Sequence, residues 1–246
     1  MAGLNEEEHD GKTKWSLPEA YLQTSFSFIK FQSEVSEINI PPSQIKDLIL
    51  RKYENWEAEP VLVRLCSQSL SLVILNFPLH TLNVALEFKL ESLKVWAKEV
   101  TLEGNGSTEC LELRVDSINP SGSGAKILAG VRKLTAFYSF IGFEGTFTPS
   151  CEWDSLVWLH LIHFHEKALN SILERAPSLQ EAALEGTVKE ERNEAQILSL
   201  SVMWLRMLKV DLFGVKEIKL PKGTNIENTI VLKGRLSEEL SIVQIS

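Results

Sequence analysis

From Leu82 to Gly104 the chain reads "LNVALEFKLESLKVWAKEVTLEG", with an apolar residue at nearly every second position. Side chains alternate across a strand, so a period of two over this length demands extended chain with one buried face. Leu82, Val84, Leu86, Phe88 and Leu90 share a face. Leu93, Val95 and Ala97 continue on the opposite parity, and Val100 and Leu102 shift it again. Each shift marks a bulge or a turn.

The same period appears in "SFSFIKFQSEVSEINI" (25–40), "VLVRL" (61–65), "SLSLVIL" (69–75) and "CLELRV" (110–115), with "FPL" as a break. "SLVWLHLIHF", "KVDLFGVKEIKL" and "NTIVLKGRL" read as further strands. Helical spacing predicts a helix in "PPSQIKDLILRKYENW", through Ile45, Leu48, Ile49, Tyr53 and Trp56, with prolines at its mouth. Two more are predicted, in "EKALNSILERA" through Leu169, Ile172 and Leu173, and in "NEAQILSLSVMWLRML". "SINPSGSGAK" is a loop by composition. The fold class expected is α+β and β-rich: a long curved antiparallel sheet packed on two or three helices. Residues 1–13 read as a disordered acidic tail. Residues 14–246 read as a single α+β domain, with 14–118 and 127–246 as candidate related halves.

Composition bounds the function. With 246 residues, 44% apolar and 24% charged, the chain can bury a substantial core. A net charge of −8 with scattered Lys and Arg repels a phosphate backbone, so no nucleic-acid partner is expected. The three cysteines, Cys66, Cys110 and Cys151, form neither a C-x-x-C pair nor a disulfide framework. The polar, acidic N-terminus lacks the pattern of a secretory signal, and no apolar run approaches the ~20 residues of a membrane span. A cytoplasmic protein is expected.

No motif assigns a catalytic residue. "HLIHFHE" offers His160, His163, His165 and Glu166, but alternation puts His160 opposite the other two histidines, and H-E-x-x-H is absent. A half-exposed strand with polar residues facing water is the reading here, with no metal. Gly122, Gly124 and Lys126 lack phosphate-loop spacing, and no G-x-S-x-G elbow exists. The expected protein is not an enzyme and carries no cofactor. The aromatic run Phe137, Tyr138, Phe140, Phe143 and Phe147 reads either as core or as the lining of a cavity or lipid-facing flap, with Gly142 and Gly145 breaking its period.

Three blocks, in order, resemble the LmeA-type lipid-binding family, related in fold to tubular lipid-binding (TULIP) domains. They are "KVWAKEVTLEGNGSTECLELRVDSINP" (94–120), "LHLIHFHEKALNSILER" (159–175), and "WLRMLKVDLFGVKEIKL" with "NTIVLKGRL" (204–236), the family's glycines matching Gly104, Gly106 and Gly214. The helix entry T-E-x-D-L-N is absent, and the last two blocks lie closer together than in the family. The resemblance implies an antiparallel sheet wrapped on helices, with an apolar seam holding a lipid or other hydrophobic small molecule. Peripheral membrane contact is a further expectation. Each buried methylene contributes ~0.8 kcal/mol, so one acyl chain would bind without a charged anchor. The groove wall expected is Leu86, Phe88 and Leu90, with Phe137, Phe140 and Phe143.

The alternative is a leucine-rich-repeat-like solenoid serving as a protein–protein interaction scaffold. "L-x-x-L-x-L" runs recur near Leu72, Leu93, Leu113, Leu134, Leu159 and Leu184, inside the window of ~20–29 residues for such repeats. The inward asparagine of that repeat is missing. Strand direction separates the two folds: parallel for the solenoid, antiparallel for the lipid carrier.

Overall fold

The structure, a computed structural model, describes residues 6–9, 12–18, 21–31, 34–52, 60–120, 123–137, 152–190, 193–194, 196–232 and 240–244. In chain order the first strands are β1 (Glu6–His9), β2 (Lys12–Ser16), β3 (Phe26–Lys30), β4 (Glu37–Ile40), β5 (Asp47–Arg51), β6 (Val61–Leu65), β7 (Leu72–Leu86), β8 (Lys89–Glu103), β9 (Ser107–Arg114) and β10 (Ser117–Pro120). There follow α1 (Gly124–Ala129), β11 (Lys133–Phe137), β12 (Trp158–His165), α2 (Glu166–Leu173), β13 (Glu181–Glu190) and β14 (Asn193–Glu194). The last are β15 (Ile197–Ser199), β16 (Trp204–Phe213), β17 (Glu217–Leu220), β18 (Asn225–Val231) and β19 (Ser241–Gln244).

Nearly every pairing is parallel. Among the described residues only β1–β2 and β13–β14 pair antiparallel. One row runs β3-β5-β7-β8-β9-β11-β12-β13-β16-β18, ten strands in parallel register. A second row, β2-β4-β6-β7-β8-β10, lies behind its first half. Behind the second half stand helices and the separate sheet β15-β17-β19. The chain therefore coils about nine times. Register partners on neighbouring coils are 18 residues apart at the closest, Ser92 to Cys110, and 26 at the widest, Glu181 to Met207.

Inward positions stack in lines. Leu48, Val73, Leu93, Leu111, Leu134 and Leu159 form one, none more than 2% exposed. Leu50, Leu75, Val95, Leu113, Ala136 and Leu161 form the next, two positions further along each strand. A fully buried leucine contributes about 1.5–3 kcal/mol, so these lines hold the coils together. One continuous core results, from Trp15 to Leu220.

The parity shifts are corners. In β7 two consecutive residues, Pro78 and Leu79, turn away from the core, and in β8 Lys98 and Glu99 do the same. At these points each strand leaves the first row for the second while its apolar side chains keep facing inward. The register between β7 and β8 also shifts at this corner, between Phe77 and Thr81. Corners stack closely: a Cβ on Gly104, which has φ +104°, would lie 2.3 Å from the Leu86 carbonyl oxygen. Only glycine meets both demands there.

These findings correct the expected fold. The sheet is parallel and coiled, with two short helices in the described residues, where an antiparallel sheet packed on helices was expected. Periodicity cannot separate the two, because alternation is the same for either strand direction. The two-residue link Glu87–Phe88 has hairpin length, yet it joins the second-row half of β7 to the first-row half of β8, with Phe88 turned into the core. The solenoid alternative agrees in strand direction: Leu93, Leu134 and Leu159 fall on the first inward line, Leu113 and Leu184 on the second. Leu72, on the same grounds, faces outward.

The helix expected in 41–56 is instead β5 with Leu48 and Leu50 buried; Tyr53 and Trp56 lie outside the described residues. The one expected in 193–208 is β14, β15 and the start of β16. The loop expected at 117–126 contains β10 and the first turn of α1. The helix expected after His165 is present as α2, with Ala168, Leu169, Ile172 and Leu173 buried. The structure places β1 and the start of β2 in the segment read as a tail. The division near residue 120 coincides with the end of the second row, whereas the first row passes through it unbroken.

Candidate functional site

The expected groove wall is interior. Leu86 and Leu90 are 0% exposed and Phe88 9%, all packed within the solenoid core. Phe137 lies on the outer face of the first row, half-buried, with the Arg114 guanidinium 4.2 Å from its ring centre. Phe140 and Phe143, like Tyr138 and Phe147, lie outside the described residues. These six residues do not assemble into one wall among the described residues.

The histidines take three separate positions. His160 faces outward and its Nε2 lies 3.1 Å from Glu185 Oε2. His163 occupies a β-bulge with φ 51°, and its Nδ1 accepts the Thr187 backbone N–H at 3.1 Å. Gly186, at φ +84°, leaves the room that the ring fills: a Cβ there would lie 2.6 Å from Nδ1. His165 precedes α2 in extended conformation. Among the described residues no three His, Cys, Asp or Glu side chains are placed to hold a metal ion.

At the corner of β7, His80 is 1% exposed, and among the described residues neither ring nitrogen has a hydrogen-bond partner. Burial, and then the charge of Lys52, hold its pKa below the ordinary histidine value.

A concavity lies on the outer face of the first row, where β12, β13 and β16 lie side by side. Register sets Trp158 beside Glu181 and Glu181 beside Met207. The next outward line is His160, Ala183 and Lys209. The third is Ile162, Glu185 and Asp211. Strands stand ~4.8 Å apart and outward neighbours on one strand ~6.7 Å, so Ala183 is a single methyl ringed by larger side chains. The result is a hollow of about 360 Å³.

Its walls are held in place. An Arg206–Glu181 ion pair crosses from β16 to β13, and the His160–Glu185 contact crosses from β12 to β13. The Trp158 indole meets the His160 ring edge to face, with centres 5.6 Å apart. Asp211 Oδ1 is shielded from solvent and has no hydrogen-bond donor among the described residues. A second hollow, about 430 Å³, adjoins it, sharing Trp158 and Glu181 and adding Lys133, Gln180 and Arg206.

None of these residues except His160 stood out in the sequence. The only signal was a small outward residue between large ones, Glu181-Ala182-Ala183-Leu184-Glu185, and it means nothing until register brings β12 and β16 alongside.

The fold places the chain in the class of parallel β-solenoids. Compared with known proteins, it matches no family model, no curated protein and no solved structure. The wrapped antiparallel sheet implied by the LmeA-type resemblance is not the fold found. No helix among the described residues is long and apolar enough to cross a membrane.

Proposed function

We propose that the chain is a non-enzymatic interaction scaffold that engages a protein partner through the outer face of the ten-strand row. The observation that supports this is the distribution of exposed large apolar side chains. Phe26, Phe28, Trp96, Trp204, Phe213 and Ile230, each at least 42% exposed, all project from strands of this one row. Aromatic side chains are enriched in association surfaces relative to the rest of a protein's surface. A lipid carrier is the weaker reading, because the apolar lines that would hold an acyl chain are filled by the solenoid's own side chains.

Proximity labelling in cells tests the scaffold. Wild type is compared with Trp96→Glu/Phe213→Glu on this row and with Leu79→Glu at the β7 corner. Neighbours lost only in the first variant support the reading, and an identical set in all three overturns it. Native mass spectrometry of the purified chain tests the rival, since a lipid at fixed stoichiometry would restore it.

A further inference from the structure

We infer that the paired hollows centred on Ala183 and on the Trp158–Glu181 ridge form a binding site for a neutral, hydroxyl-rich ligand, a short oligosaccharide. The inference goes beyond the scaffold reading and does not depend on it.

Charge argues for neutrality. The two hollows are lined by the anions Glu181, Glu185 and Asp211 and the cations Lys133, Arg206 and Lys209, so three of each sign nearly cancel. A polycation or polyanion finds no net attraction in such a lining, whereas a hydroxyl both donates and accepts and finds a partner on every side. Asp211 lines the first hollow, so its carboxylate can accept from a hydroxyl of a ligand seated there. Carboxylates that accept from hydroxyls make short, charge-assisted bonds.

Shape agrees. The floor is the Ala183 methyl, with the Met207 side chain on one flank and the Trp158 indole on the other, which are apolar surfaces suited to the C–H faces of a pyranose. A hollow of about 360 Å³ is within the ordinary size of small-molecule sites, and the adjoining one offers space for a second sugar residue. Arg206 and His160 fix the two glutamates, so little ordering is needed on binding.

The test is NMR titration of the full chain, following the Ala183 methyl and the Trp158 indole N–H, with glucose, maltotetraose, cellotetraose and chitotetraose as probes. Saturable shifts of both signals by at least one tetrasaccharide, at lower concentration than by glucose, are expected. Asp211→Asn should weaken binding by about tenfold, as loss of a hydrogen bond to a charged group does. Ala183→Leu, which fills the hollow from an outward position, should abolish the shift of the Trp158 signal while the unfolding midpoint stays near wild type. If Ala183→Leu proves unstable, Asp211→Asn alone decides. No shift with any of the four sugars overturns the inference, and so does a shift produced only by arginine amide or spermidine run as charged controls. Loss of the scaffold's protein neighbours would leave these titrations unchanged, so the two readings fail separately.

Discussion

Asn170 takes the place of a strand partner for Ser199. From the second turn of α2 its Nδ2 donates to the Ser199 carbonyl at 2.8 Å, and its Oδ1 accepts the N–H of Ser201 at 2.8 Å. One turn earlier Glu166 accepts the N–H of Ser199 at 3.0 Å. Residues four apart share a helical face, so the two side chains together cover the edge where β15 begins its own sheet. This junction lets a coil with a helix stack on a coil with a strand.

Replacing Asn170 with Ala should therefore expose a local weakness. It leaves one backbone acceptor and one donor unpaired in a half-buried place, at a cost of about 2 kcal/mol. Hydrogen exchange reads it directly: the Ser201 amide should exchange at least tenfold faster, while the Leu93 amide, in the middle of the first row, should not change. Equal acceleration at both would mean that the junction has no separate stability.

A second contact couples two unusual backbones. His163 holds φ 51° and its ring rests on Gly186 at φ +84°. Gly186→Ala should cost about 2–3 kcal/mol, combining a left-handed non-glycine residue with a clash against the ring. His163→Gly removes the ring and relaxes its own backbone, so the double variant should be less destabilised than the two singles summed, by about 1 kcal/mol. Denaturant unfolding of the four proteins measures the coupling. Strict additivity would mean that ring and glycine do not constrain each other.

Much of this architecture left marks in the sequence that were ambiguous in kind. The strands from Lys89 to Arg114 are legible because Leu90, Leu93, Leu102 and Leu113 alternate with polar residues, and α2 is legible because Ala168, Leu169, Ile172 and Leu173 recur at helical spacing. The parity breaks at Pro78–Leu79 and Lys98–Glu99 are visible too, but nothing local distinguishes a corner from a bulge or a hairpin. Ile45, Leu48 and Ile49 fit a helix as well as Leu48 and Leu50 fit a strand, and packing against Val73 and Leu75 decides for the strand. The hollow at Ala183 was illegible for a different reason. It depends on three strands whose partners are 23 and 26 residues apart, Trp158 to Glu181 and Glu181 to Met207, and register at that distance is a property of the whole coil.

His80 should make stability fall in mild acid. Well above pH 6.5 its ring is uncharged in both states. Below about 6.5 the unfolded ring takes up a proton, while the folded ring, disfavoured by burial and by Lys52, stays neutral to lower pH. The unfolded state then binds more protons, so stability drops as pH falls through that window and levels off below the folded value. His80→Leu should flatten this slope between about pH 6.5 and pH 5, whatever its effect at neutral pH. Unfolding free energies at four pH values compare the slopes, and parallel curves for the two proteins would reject the assignment.

The last prediction concerns the far end of the row. Val231 continues the second inward line one step beyond Val210, yet it is 40% exposed, and Ile230 and Leu232 on either side are each 42% exposed. Among the described residues β18 has a strand on one side only. An apolar edge with free backbone groups is a template for pairing between molecules, and a charge placed on it is the usual protection. Wild-type protein should show concentration-dependent association in sedimentation velocity, and Val231→Lys should remain monomeric over the same range. Because Val231 is only partly buried, the long lysine stem can keep its ammonium in solvent, and the unfolding midpoint should change little. Association that persists equally in Val231→Lys would place the contact elsewhere, with the first strand of the row, where Phe26 and Phe28 are 54% and 49% exposed, as the next to be altered.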